Sequence, residues 1–230
     1  MTKPSAVLLT TVLLLALLST SIHSAGPPPV FQDCYCRASD GSCSVSISCS
    51  GGCFKACHSN GDCYAECSGA MEIFGVELTL EVSEGSYSEL TSKLAKSTGK
   101  EITFTTTPTG LAKPDEIINV GMKRAPLWEG LQYLADRGTV RVGGKDFESY
   151  IRLRQALLSG QRFNLGVKNT PVNTFVNDMI GLTGLPLRIT KGRPMSIANL
   201  ELNDVTLYEF IDGVSEQTGT RIGRSSDDQF

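Results

Sequence analysis

From Asn164 to Gly184, and again from Asn199 to Gly219, the chain runs through one pattern of apolar and polar positions. Two apolar residues alternate with polar ones, Leu165 and Val167 in one copy and Leu200 and Leu202 in the other. Helically spaced apolar residues follow: Val172, Phe175, Val176 and Met179, matched by Leu207, Phe210, Ile211 and Val214. Each copy closes on Thr-Gly. Thr79 to Gly99 has the same shape through Leu80, Val82, Tyr87, Leu90 and Leu94. Asn119 to Gly138 is a shortened version through Val120, Met122, Leu127, Leu131 and Leu134. A period that changes from 2 to about 3.6 marks a half-buried strand running into an amphipathic helix. The boundary residues agree. Ser86 with Glu89 and Thr206 with Glu209 have capping-box spacing, and Pro126 and Pro171 suit a first helical position. Gly99, Gly138, Gly184 and Gly219 stand where a chain leaving a helix takes positive φ. A second strand follows each glycine, in KEITFTT, TVRV, PLRI and TRIG. The repeating unit is strand, helix, strand.

One such unit cannot bury its own apolar stripe, so the units are expected to pair. The short connections TPTGLAKPDE and TKGRPMS join units one to two and three to four, and a longer segment separates the pairs. The expected fold is α+β: two tandem βαββαβ modules, at 72–155 and 161–230. Within the separating segment FESYIRLRQ reads as an extra strand of the first module, with a linker helix as the alternative.

The N-terminus changes the picture from a cytosolic to an exported chain. Lys3, an apolar run from Ala6 to Leu18 and small residues up to Ala25 have the order of a secretory signal, assigned to residues 1–25. The apolar run is shorter than the roughly 20 residues that span a bilayer, so no transmembrane segment is expected in the mature chain. A Pro-rich linker at 26–33 follows. All eight cysteines then fall within 34–68: Cys34, Cys36, Cys43, Cys49, Cys53, Cys57, Cys63 and Cys67. An even count packed into an exported stretch reads as a disulfide framework with every cysteine paired. CSVSISC alternates as a strand does. CFKACHSNGDCYAEC, with two Cys-x3-Cys pairs around a turn, reads as a short helical hairpin stapled by Cys53–Cys67 and Cys57–Cys63. That pairing is one of on the order of a hundred. A zinc site using Cys57 and His58 is the weaker alternative. Tyr35, Phe54 and Tyr64 are read as filling a small core, with stacking on a ligand as the alternative.

The helix motifs SYSELTSKLAKSTG, APLWEGLQYLADRG, TPVNTFVNDMIGLTG and VTLYEFIDGVSEQTG, each between two strands, resemble the N-terminal short domain of secretins and TonB-dependent receptors. The resemblance covers Glu72 to Gly223. It implies modules that make protein–protein contacts in the bacterial periplasm rather than catalyse. A secretin continues into a pore-forming β domain and a TonB-dependent receptor into a plug and barrel. Residues up to Phe230 hold neither, so neither activity is expected, and the cysteine-rich segment has no counterpart in that family.

Charge and chemistry narrow the function further. The formal charge of −3, with both signs mixed along the chain, argues against a nucleic-acid partner. Beyond the signal segment a single histidine remains, His58. No glycine-rich phosphate loop opens a helix after a strand, and the two glycines of RVGGKD read as a turn. The carboxylates Glu81 with Glu84, and Asp227 with Asp228, read as solvated faces. No catalytic residue, cofactor or metal is expected. The expected partner is a protein of the cell envelope, or identical chains in a ring, with Trp128 and Tyr150 as the first candidate contact surface. A small-ligand or glycan site in the cysteine-rich segment is the alternative.

Overall fold

The structure is a computed structural model and describes residues 31–193 and 195–224. The expected signal segment, most of the Pro-rich linker and the last six residues lie outside them. The cysteine-rich segment forms two antiparallel hairpins, β1 (Gln32–Arg37) with β2 (Ser44–Cys49) and β3 (Cys53–Cys57) with β4 (Cys63–Cys67). A 3₁₀ turn, Met71–Gly75, leads into the repeats. The first pair comprises β5 (Glu77–Gly85), α1 (Tyr87–Thr98) and β6 (Ile102–Thr106), then β7 (Ile118–Pro126), α2 (Leu127–Ala135) and β8 (Gly138–Val142). The short β9 (Lys145–Asp146) and α3 (Phe147–Leu158) connect it to the second pair. That pair comprises β10 (Phe163–Pro171), α4 (Val172–Thr183) and β11 (Leu187–Lys191), then β12 (Ser196–Val205), α5 (Leu207–Thr218) and β13 (Arg221–Arg224). The mixed α+β fold and its four strand–helix–strand units are those read from the sequence.

Each pair is built around a local two-fold. First strands pair antiparallel, β5 with β7 and β10 with β12. Second strands do the same, β6 with β8 and β11 with β13. In both pairs the third residue of one unit faces the third residue of the other, Glu81 opposite Gly121 and Gly166 opposite Glu201. The sixth residue of every unit takes a left-handed conformation without being glycine: Glu84, Arg124, Asn169 and Asp204, with φ between 47° and 53°. Non-glycine residues rarely hold such angles, and side chains at the first position of the partner unit help fix them. Glu84 N–H donates to Asn119 Oδ1 at 2.9 Å, Arg124 N–H to Thr79 Oγ1 at 3.2 Å and Asp204 N–H to Asn164 Oδ1 at 3.2 Å.

The helix termini follow local chemistry, with two corrections. Ser86 Oγ accepts from Glu89 N–H, and Thr206 with Glu209 forms a complete capping box. Gly99, Gly184 and Gly219 leave their helices at φ 64°, 74° and 61°. Pro126 and Pro171 stand one place earlier than expected, at the N-cap, where they also end the preceding strand. Gly138 starts β8 instead of capping α2. It is needed for close approach, since a Cβ there would lie 2.5 Å from the Thr105 carbonyl oxygen.

Two larger expectations change. FESYIRLRQ is not a strand but the body of α3, with Asp146 as N-cap accepting from Glu148 N–H at 2.9 Å. Phe147, Tyr150, Ile151, Leu153, Ala156 and Leu157 are all buried, a helical face that becomes readable once Ala156 and Leu157 are included. The cysteine-rich segment, expected as a module apart, shares the main core. β3 pairs with β10, giving the sheet order β12-β10-β3-β4. One continuous cluster runs from Phe54 and Ala56 through Met71 and Phe74 into both repeat pairs.

Candidate functional site

Of the eight cysteines, Cys34 and Cys36 lie within β1, Cys43 just ahead of β2, and the other five at strand ends. Cys34 (β1) is joined to Cys53 (β3), Cys43 (ahead of β2) to Cys63 (β4), and Cys49 (β2) to Cys67 (β4). The first hairpin is thereby stapled across the second. The expected helical hairpin is a strand hairpin. Cys-x3-Cys puts both sulfurs on one side in either case, because four residues make one helical turn or two pleats. Cys53 and Cys67 are register partners, as are Cys57 and Cys63, yet neither pair is bonded to itself.

Where four bonds are expected the structure forms three, and Cys36 and Cys57 are buried free thiols. They are hydrogen-bonded to each other. That bond lowers the Cys36 pKa by favouring its thiolate, and it raises Cys57, whose burial acts in the same direction. Cys57 Sγ also lies 2.9 Å from Cys63 Sγ. The sulfurs of Cys43, Cys57 and Cys63 fall within 4.8 Å of one another, but two of them share a disulfide and offer no thiolate to a metal. Because Cys36 and Cys57 would link β1 to β3 as Cys34 and Cys53 do, disulfide exchange with an oxidised dithiol partner is expected to close this fourth bond. The reaction removes two hydrogens from the pair and reduces the partner. Alkylation followed by non-reducing peptide mapping of exported protein should recover a Cys36–Cys57 peptide. Two alkylated cysteines would show that the pair stays reduced.

His58, the candidate zinc ligand, is engaged in the turn between β3 and β4. Its Nδ1 accepts from Asn60 N–H at 3.2 Å, and its ring tilts against Phe163 at 4.8 Å. Phe54 packs edge-on to Phe210 at 6.2 Å and belongs to the core, whereas Tyr35 is 53% exposed.

Trp128 and Tyr150 do not make a joint contact surface. Tyr150 is 3% exposed because α3 turns inward: its ring stacks on Phe74 at 3.8 Å, and its hydroxyl donates to the Gly181 carbonyl at 2.6 Å. Burial pushes its pKa up. Trp128 is half-buried at the start of α2, with the Arg154 guanidinium 4.1 Å above its ring. Both residues therefore join the repeat pairs to each other. Tyr150 is withdrawn from any partner surface, and Trp128 offers only its outer edge.

Beside Tyr150 opens a cleft of about 370 Å³ between β4, the 3₁₀ turn, β9 and α3, lined in part by Tyr64, Glu66, Phe74, Lys145 and Phe147. Lys145 is ion-paired with Glu66, and desolvation lowers its pKa. The Tyr64 hydroxyl is buried with no hydrogen-bond partner among the described residues.

Beneath the same region lies Asp178, a charged residue within the apolar face of α4 that sequence reasoning passed over. It is 2% exposed and accepts from Gly69 N–H at 3.1 Å, tying the β4–3₁₀ connection to the helix. Desolvation raises its pKa to about 7, against a smaller opposing effect of that hydrogen bond. A carboxyl whose folded pKa exceeds its unfolded one favours folding most when protonated. Its contribution is full below about pH 4 and lost as pH rises through about 7. After allowance for solvent screening the swing is about 2–3 kcal/mol. Denaturant titrations at several pH values should show wild type losing stability relative to Asp178→Asn across that window. Parallel pH profiles for the two proteins would refute the assignment.

Among the described residues no helix is long and apolar enough to cross a membrane. No protein-family model, curated protein or solved structure matches the chain.

Proposed function

We propose that the chain is an exported, non-catalytic protein-binding or scaffold protein of the bacterial cell envelope. The observation that carries this reading is the set of open strand edges. Among the described residues no strand pairs with the outer edges of β5, β7 or β12. Unpaired backbone groups along a strand edge are a template for strand addition by a partner. The three disulfides fit an oxidising compartment, and the resemblance to the secretin and TonB-receptor short domain suggests the periplasm, beside an outer-membrane secretion or transport machine. Crosslinking in periplasmic extract followed by capture of the full chain tests it. Enrichment of one envelope complex over a control of equal charge is expected. Turnover of a substrate by the purified protein, or no enriched complex, would defeat it.

A second reading is a small-ligand or glycan binder acting through the cysteine-rich segment. It rests on the cleft beside β4, with its aromatic walls and the buried Tyr64 hydroxyl. Loss of ligand on disulfide reduction, with envelope capture unaffected, would favour it.

A further inference from the structure

The four units can be compared position by position, and one helix position decides what covers the first strand of each. That position holds Lys93, Tyr133, Asp178 and Gly213 in turn. Lys93 reaches across β5, donating to the Glu81 carbonyl and pairing with Glu89 at 3.0 Å. Tyr133 lies packed against the core under the Arg137 guanidinium. Asp178 holds the cysteine-rich head, the two disulfide hairpins, through Gly69 N–H. Gly213 puts nothing there, and an open groove of about 570 Å³ runs between α5 and β12, over Leu200 and Leu202 and past Asp212, Glu216 and Gln217. Glycine inside a helix costs about 0.5–1 kcal/mol relative to alanine, and no backbone approaches it. A Cβ would meet the ends of two flexible side chains, Leu202 at 2.8 Å and Leu200 at 3.6 Å.

The twin of this groove, on the other side of the local two-fold, is already filled. There β3 pairs along the outer edge of β10, with Asn164 opposite Cys57, Gly166 opposite Lys55 and Lys168 opposite Cys53. Leu165 and Val167 are each 1% exposed as a result. Their counterparts Leu200 and Leu202 stay half-buried. The rim over them is acidic: Asp212 and Glu216 have no ion-pair partner among the described residues, while Glu209 is held by Arg162 at 3.3 Å.

We propose that the β12 edge and the α5 groove bind an extended basic segment of a partner protein. The segment adds as a strand, placing alternate apolar side chains on Leu200 and Leu202 and its cations against Asp212 and Glu216. The inference rests on the protein-binding reading above and names the site that performs it.

The test uses the full chain and a fluorescein-labelled peptide, Lys-Lys-Phe-Lys-Ala-Lys-Lys, which keeps the Phe-Lys-Ala of β3 between lysines. Anisotropy titrations should show saturable binding that weakens by about tenfold in Gly213→Lys, which fills the groove as Lys93 does, and similarly in the Asp212→Lys, Glu216→Lys double variant. Methylating alternate backbone nitrogens of the peptide should abolish binding, since strand addition needs those N–H groups. Absent binding, or binding indifferent to Gly213→Lys, overturns the proposal. A wild-type dimer that Gly213→Lys makes monomeric in sedimentation would put a second copy in the groove and also overturn it. If wild type and Gly213→Lys capture the same envelope partner equally, the binding function stands and this site falls. If the peptide seats in the groove but no envelope partner is captured, the site stands and the functional reading falls.

Discussion

A fragment beginning at Glu72 is expected to lose cooperative folding, although it retains all four repeat units. The cut removes β3 from the edge of β10 and takes Phe54, Ala56 and Met71 out of the core, each at most 1% exposed in the whole chain. Losing one buried Phe already costs about 3–5 kcal/mol, against a total stability of about 5–15 kcal/mol for a domain. Leu165 and Val167 would lie along an open strand edge, and Asp178 would lose the Gly69 amide that tempers its burial. Near-ultraviolet circular dichroism and calorimetry should show a broad, low-enthalpy transition or none. A sharp transition close to that of the full chain would mean that the head merely decorates the repeats. Reducing the full chain should act in the same direction. Each of the three bonds closes a loop of 18 to 20 residues, worth about 3 kcal/mol in the chain-entropy account.

The repeat was legible because every unit writes its period change in large apolar residues, and the buried stripe is Leu90 and Leu94, Leu127 and Leu131, Phe175 and Met179, Phe210 and Val214. The head was misread for a reason of spacing. Cysteines four apart share a face in a helix and in a strand, and CFKAC is too short for a second period to decide. Its docking on β10 was not legible at all, since β3 skips the adjacent first pair to join the second, and nothing local in CFKAC records that. FESYIRLRQ alone does not show α3, because Ala156 and Leu157, beyond Gln155, complete its buried face. Tyr150 reads as contact surface only while FESYIRLRQ reads as an edge strand, and its burial depends on Phe74 and Gly181 arriving from distant elements. Asp178 and Gly213 had a signal that went unused: at one position of an aligned repeat they replace a long side chain with a buried acid and with nothing.

Phe210→Ala is expected to be the most damaging single substitution in the repeats, at about 3–5 kcal/mol. Phe210 is fully buried, and its ring meets Phe54 edge-on at 6.2 Å and Phe175 at 6.0 Å. It therefore touches the head and its own two-fold counterpart together, so the void left by alanine is walled by two elements that cannot both close in. Leu200→Ala, ten positions earlier in the same repeat, removes a half-buried side chain at the open groove and should cost much less, about 1 kcal/mol. Urea denaturation of the two variants separates these cases. Equal losses would mean that β12 is covered after all, or that the core collapses around the smaller residue. A double-mutant cycle of Phe54→Ala with Phe210→Ala then measures how strongly the head is coupled to the repeats. Coupling of about 0.5–1.5 kcal/mol is expected for an aromatic pair in this geometry. Additive losses would place the two rings in separate cores, leaving the hairpins held by the edge of β10 and by polar contacts such as Glu66 with Lys145 and Gly69 with Asp178.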